Sequence, residues 1–322
     1  MKVDGTWVRK YELAYTTGDN SVRSLLDTIT ETGQGEDLST LSYPVTDFDY
    51  TPDHTSASKT WTEDASYSIP FGFIANDVND VDNGVRTLDV NGDSLLDLLR
   101  AYKTDTKEVY INDGDDTGWT LDSTYSIPTE FITSDNNDEG VRFADLNGDG
   151  YGDILQSWEN PPDTPVTQVW VNNGDGTGWT EDEHYNMPTT FITAGVTEPK
   201  DNGVRIADVN GDGLPDLMEG IYDGEVSTTT VYINDGDGSG WSKDVNYLLP
   251  VYFVDNEKDN GVRIADVNGD TLPDLVQILA DGSTTTRAVY INDGDGTGWT
   301  QDNGYVLPTH ASDRLFFIEN GG

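Results

Sequence analysis

Four stretches of the chain put oxygen-bearing side chains at positions 1, 3, 5 and 9 of a nine-residue run. They are Asp89, Asn91, Asp93 and Asp97; Asp145, Asn147, Asp149 and Asp153; Asp208, Asn210, Asp212 and Asp216; and Asp266, Asn268, Asp270 and Asp274. Side chains at positions 1, 3 and 5 converge when the backbone curls around a centre. The carbonyl at position 7 (Leu95, Tyr151, Leu214, Leu272) adds a donor, and the position 9 carboxylate closes the cage. Hard oxygen donors without His or Cys point to Ca²⁺, about four ions, over zinc or copper, and Mg²⁺ prefers to keep more of its water. Without metal, carboxylates so close together repel one another and their pKa values rise.

Glycine holds position 4 in every loop (Gly92, Gly148, Gly211, Gly269). Position 6 is Gly150 and Gly213 in two loops but Ser94 and Thr271 in the others. If position 6 needs a left-handed backbone, those two residues cost roughly 1 kcal/mol each, and the first and fourth sites are weaker. The pattern is not an EF-hand, which has its glycine at position 6, a bidentate Glu at position 12 and flanking helices. The competing reading is a set of Asx-rich turns that only cap strands; four copies with every donor position kept favour the cation.

The elements that position these loops emerge from an internal repeat of about 58 residues. A phrase of the form GVRxxDxNGD begins at Gly84, Gly140, Gly203 and Gly261, and a second of the form VxxNxGDxxGW, VYINDGDGTGW in the last copy, ends at Trp119, Trp179, Trp241 and Trp299. Each unit reads as four short strands separated by Gly/Asp/Asn turns, the size of a propeller blade. The expected fold is all-β, a β-propeller of about five four-stranded blades with calcium loops in the blades. The expected organisation is an N-terminal β segment at 1–42 and a propeller at 43–322, with a partial unit at 43–83 around Trp61 and repeats at 84–139, 140–202, 203–260 and 261–322. Length changes fall in the hairpin after the Asp-rich loop and before the next GVR, where recognition specific to one repeat is expected.

Composition narrows the partners. Seventeen Lys and Arg against 60 Asp and Glu give a net charge of −43, which repels nucleic acid and anionic membrane surfaces. Cations, basic proteins and neutral glycans remain. No cysteine is present, which excludes disulfides, thiolate zinc sites and cysteine nucleophiles. No apolar stretch reaches membrane-spanning length and no leader follows Met1, so the chain is read as cytosolic or as a piece of a longer protein exported by a signal elsewhere.

The D-x-N-x-D-[G/S/T]-x-x-D loop at the start of each unit resembles the FG-GAP/VCBS repeats of integrin-type and bacterial surface propellers, over about residues 84–322. That resemblance implies calcium loops between blade strands and an extracellular or cell-surface setting. Residues 7–33 and 43–51 also resemble, less specifically, the segment preceding such repeats in Rhs and insecticidal-toxin-complex shell proteins. This implies part of a larger chain or a homo-oligomeric assembly.

Other chemistry is sparser. The NDGDGTGW hairpins, such as Asn292, Asp293 and Asp295, read as tight turns or as second cation sites. Trp61, Trp119, Trp179, Trp241 and Trp299 read as packing between units rather than as sugar platforms. Trp158, in a variable hairpin, is the better ligand candidate. Arg86, Arg142, Arg205 and Arg263 each precede the first loop aspartate by three positions and are expected to pair with an acid, orienting it behind the cation site. His54, His184 and His310 lie outside the repeated phrases, and no nucleophile elbow, phosphate loop or zinc-protease motif occurs. The expectation is a non-enzymatic, calcium-stabilised structural or adhesive module of an extracellular or secreted assembly with a protein or glycan partner. The alternatives are a glycan-binding lectin with sites on the variable loops and, further off, a polysaccharide hydrolase or lyase.

Overall fold

The computed structural model describes residues 2–3, 6–7, 9–17, 24–34, 40–42, 46–47, 67–75, 81–103, 106–115, 117–194, 199–281, 284–305 and 307. The expected boundary at 42/43, most of the partial unit with Trp61, and both His54 and His310 lie outside them. Contacts divide the chain into two compact units, 1–64 and 65–322. Every described element is a strand, turn or bend, so the all-β expectation holds.

In the first unit a long hairpin pairs Arg9–Thr17 with Ser24–Gln34, its register shifting between Ala14 and Tyr15. Thr40–Ser42 and Thr46–Asp47 pair with the second of these strands. Leu13 and Tyr15 are exposed.

The second unit repeats one antiparallel four-stranded meander four times. In the first repeat the strands are Val85–Leu88, Asp97–Tyr102, Thr106–Asn112 and Trp119–Asp122. In the second they are Val141–Ala144, Asp153–Glu159, Val166–Asn172 and Trp179–Glu181. The third has Val204–Ala207, Asp216–Tyr222, Ser227–Asn234 and Trp241–Asp244. The fourth has Val262–Ala265, Asp274–Asp281, Thr284–Asn292 and Trp299–Gln301. Position 9 of every Asp-rich loop is thus the first residue of a second strand, and the loop is the turn between the first two strands. Among the described residues no sheet closes on itself.

Each second strand carries two adjacent buried apolar residues just after its aspartate, because both of its faces are covered. Ile154 and Leu155 are neighbours pointing to opposite faces, and both are fully buried. The apolar clusters explain this, since each lies between consecutive repeats. Leu99, Val109 and Phe131 meet Phe143, Ile154 and Trp170 in one; Leu155 and Phe191 meet Leu217 and Trp241 in the next; Met218, Val231 and Phe253 meet Leu275 and Trp299 in the last. A single repeat buries little by itself, and stacking supplies the core.

Polar joints fix the register of the stack. After its fourth strand each repeat runs against the next, bridging Ser126 to Gly178, Asn186 to Gly240 and Leu248 to Gly298. Tyr125 packs on Trp179, Tyr185 on Trp241 and Tyr247 on Trp299, at ring centroid distances of 5.8, 5.8 and 5.6 Å. The tryptophans therefore serve packing, and their indole N–H groups donate to the carbonyls of Leu96, Gly152, Pro215 and Pro273.

Candidate functional site

The backbone of all four Asp-rich loops is left-handed twice. At position 4, φ is 75°, 73°, 77° and 81° (Gly92, Gly148, Gly211, Gly269); at position 6 it is 68° at Ser94, 89° at Gly150 and Gly213, and 75° at Thr271. Such alternation turns successive N–H groups toward the inside of the curl. In the third loop the Asp208 carboxylate accepts them: Oδ1 from Gly211 and Asp212 at 2.7 and 3.1 Å, Oδ2 from Gly213 at 2.8 Å. Asn210 Oδ1 accepts from the Asp212 N–H, while its Nδ2 donates to Asp212 Oδ2. Asp212 Oδ1 accepts from the Leu214 N–H. The loops at Asp89, Asp145 and Asp266 repeat these bonds nearly one for one.

Position 9 does different work. Asp216 is fully buried; its Oδ2 accepts from the Val209 N–H at position 2, and its Oδ1 from the Asn234 N–H at the end of the third strand. Asp97, Asp153 and Asp274 make the same clamp. Burial pushes the carboxyl pKa up to about 6 at Asp97 and about 7 at Asp153 and Asp216. The two N–H bonds oppose that rise, and the carboxylates at positions 5 and 1 add to it.

The donor set suits a hard divalent cation: carboxylates at positions 1 and 5 and an amide at position 3, all on the solvent side of a buried carboxylate. Among the described residues, however, no three Asp, Glu, His or Cys side chains are gathered at cation-binding distance. The physical reason is visible in the bonds above. The position 1 carboxylate is satisfied by loop N–H groups, and the Asn amide offers the position 5 carboxylate a partial positive charge.

Other expected residues fall as follows. The arginines pair with an acid, but not with a loop aspartate: Arg86, Arg142, Arg205 and Arg263 bind Asp82, Asp138, Asp201 and Asp259, four residues earlier, at 3.0, 3.3, 2.8 and 2.7 Å. Arg142 and Arg205 also lie over the rings of Phe191 and Phe253. These two contacts hold the entry of the first strand against the closing segment of the same repeat. The NDGDGTGW hairpins hold themselves by Asx turns; Asp175 and Asp295 accept from the N–H and hydroxyl of Thr177 and Thr297.

One group went unremarked in the sequence. The buried Asn172, Asn234 and Asn292 donate from Nδ2 across to the previous repeat, to the position 2 carbonyls of Val90, Leu146 and Val209. The signal was present, since this Asn ends the VYIN phrase, VWVN in the second unit, of every repeat. Trp158 is half-buried and lines a cleft with Gln156, Thr129, Glu130, Glu139 and Lys107.

Residues 89–155 and 208–277 match the model of the FG-GAP-like repeat, each match opening on the first aspartate of a loop. Two curated relatives are both named T-cell immunomodulatory protein homolog. The one from Plasmodium yoelii yoelii is 31% identical over 121 residues, 34% of this chain and 17% of the relative. The one from Plasmodium falciparum (isolate 3D7) is 25% identical over 214 residues, 60% of this chain and 29% of the relative. The chain thus spans less than a third of either relative. Among solved structures, an Agrocybe aegerita lectin described as recognising non-reducing terminal N-acetylglucosamine aligns with 91% of this chain and 64% of its own, at 18% identity and a TM-score of 0.46. A TcdB2-TccC3-Cdc42 complex aligns over 93% and 15%, at 17% identity and a TM-score of 0.32. Among the described residues no helix is long and apolar enough to cross a membrane.

Proposed function

We propose that the chain is a calcium-stabilised, non-enzymatic repeat module that presents its variable loops to a protein or glycan partner within an extracellular or cell-surface assembly. The observation that carries this reading is the recurrence, four times, of a loop left-handed at positions 4 and 6 with oxygen donors at 1, 3, 5 and 9. In this reading the donors of each loop hold one Ca²⁺, which cancels carboxylate repulsion and locks the turn between the first two strands. The stacked meanders are blades of a propeller of about five. The FG-GAP-like matches support a repeat-based interaction module and accord with a surface setting, where such repeats often work.

Equilibrium dialysis against ⁴⁵Ca²⁺ tests the reading. About four ions bound per chain, falling to about three in Asp208→Ala/Asp212→Ala, is the expected result. No retained calcium would reduce the loops to turns.

A further inference from the structure

We propose that the cleft beside Trp158 is a binding site for a neutral saccharide. The inference rests on the module reading above and names its ligand class. The cleft, of about 380 Å³, lies where the third strand and closing segment of the first repeat face the second and third strands of the next. One part of the Trp158 indole packs against the apolar cluster of Leu155 and Phe191, and the rest lines the cleft. A flat, supported ring fits the C–H face of a pyranose.

Around it the polar groups are already oriented. Gln156, buried, accepts from the Thr129 hydroxyl at 3.0 Å and donates to the Glu139 backbone carbonyl at 3.1 Å and to Glu139 Oε2 at 3.4 Å. Gln168 Nε2 is held by Glu181. Amide, hydroxyl and carboxylate together offer both donors and acceptors, as sugar hydroxyls require, because each hydroxyl does both. Charge disfavours one rival: Glu130, Glu139 and the overall acidity repel an anion. A purely apolar ligand would cut these polar groups off from water without offering them a hydrogen bond in return.

The site belongs to this repeat. Where residues ahead of the first repeat meet it, the Thr129 and Gln156 positions are Phe71 and Arg100, and the guanidinium lies over that ring at 5.1 Å. The Trp158 position is Tyr102, Ile221 or Leu279 elsewhere.

The test is a glycan array followed by tryptophan-fluorescence titration of the full chain with the strongest neutral hit, in calcium and after EDTA. The expected result is saturable binding, weakened at least tenfold in Trp158→Ala and in Gln156→Ala, partly kept in Trp158→Phe, with the thermal midpoint of Trp158→Phe unchanged. No neutral saccharide bound, a hit indifferent to Trp158→Ala, or selective capture of Lys-rich peptides would overturn it. Calcium-dependent melting without sugar binding sinks this site and leaves the module reading standing; sugar binding without any calcium effect does the reverse.

Discussion

The ring of Tyr151 lies directly over Gly92: a Cβ on that glycine would stand 3.0 Å from Cε1 of the phenol. Tyr151 is position 7 of the second loop and Gly92 is position 4 of the first. The same relation brings Leu214 over Gly148 and Leu272 over Gly211, at 3.3 and 3.0 Å. Successive Asp-rich loops are therefore in contact, and the residue that offers a candidate ligand carbonyl also braces the preceding loop.

This contact separates two kinds of glycine. Gly92→Ala suffers both the left-handed backbone and the ring, whereas Gly213→Ala, at φ 89°, would place its Cβ with nothing within 4 Å. Urea unfolding is expected to show a loss of about 2 kcal/mol for the first and about 1 kcal/mol for the second. Equal losses would mean that the loop-to-loop contact contributes nothing.

The joint asparagines are predicted to matter more than their exposed neighbours in the same hairpins. Asn234→Ala removes the bond to Leu146 O and leaves that buried carbonyl short of a donor, at a cost of about 1–3 kcal/mol. Tyr185 also donates to this carbonyl, at 3.3 Å, so the double variant with Tyr185→Phe should lose more than the sum of the singles. Additive losses in a double-mutant cycle would argue that the two donors act independently.

Position 6 carries removable strain. Thr271 is β-branched and left-handed at φ 75°, a conformation such residues avoid. Thr271→Gly is expected to stabilise by about 0.5–1 kcal/mol, the gain trimmed by glycine's larger unfolded-state entropy. Under the calcium reading it also tightens the fourth site. A lower melting temperature would show that the Thr side chain makes contacts outweighing its backbone.

Acidity should act in an unusual direction on the metal-free chain. Asp153 and Asp216 have folded pKa values of about 7 against an ordinary 3.8. Between those values the folded state holds protons that the unfolded chain has released. Their contribution to stability is full below 3.8 and is lost as pH rises through about 7. Carboxyl ¹³C NMR in EDTA is expected to show two buried aspartates titrating near 7 and Asp97 near 6. Titration of all three near 3.8 would contradict the buried clamp.

Much of this architecture was legible because it is written four times. Repetition made the meander, the loop phrase and the packing role of Trp179, Trp241 and Trp299 readable. Repetition could not show which partner a polar side chain chooses. Arg205 is three residues from Asp208 and four from Asp201, and the structure pairs it with the more distant Asp201. Asn234 sits among Asp-rich turn residues and reads as one of them, although it reaches 88 residues back to Leu146. The Trp158 cleft was half-legible: the variable hairpin marked the tryptophan, but Thr129 and Glu139 come from the neighbouring repeat and no local pattern links them to it.

Thermal unfolding in EDTA, with Ca²⁺ titrated back, addresses the central claim most directly. Each loop that binds only the folded chain should contribute about 2.7 kcal/mol once free calcium reaches a hundred times its dissociation constant. The account predicts a midpoint that climbs with calcium, and climbs less in Asp208→Ala/Asp212→Ala. A midpoint indifferent to calcium across the millimolar range would contradict it and leave the four Asp-rich loops as hydrogen-bonded turns alone.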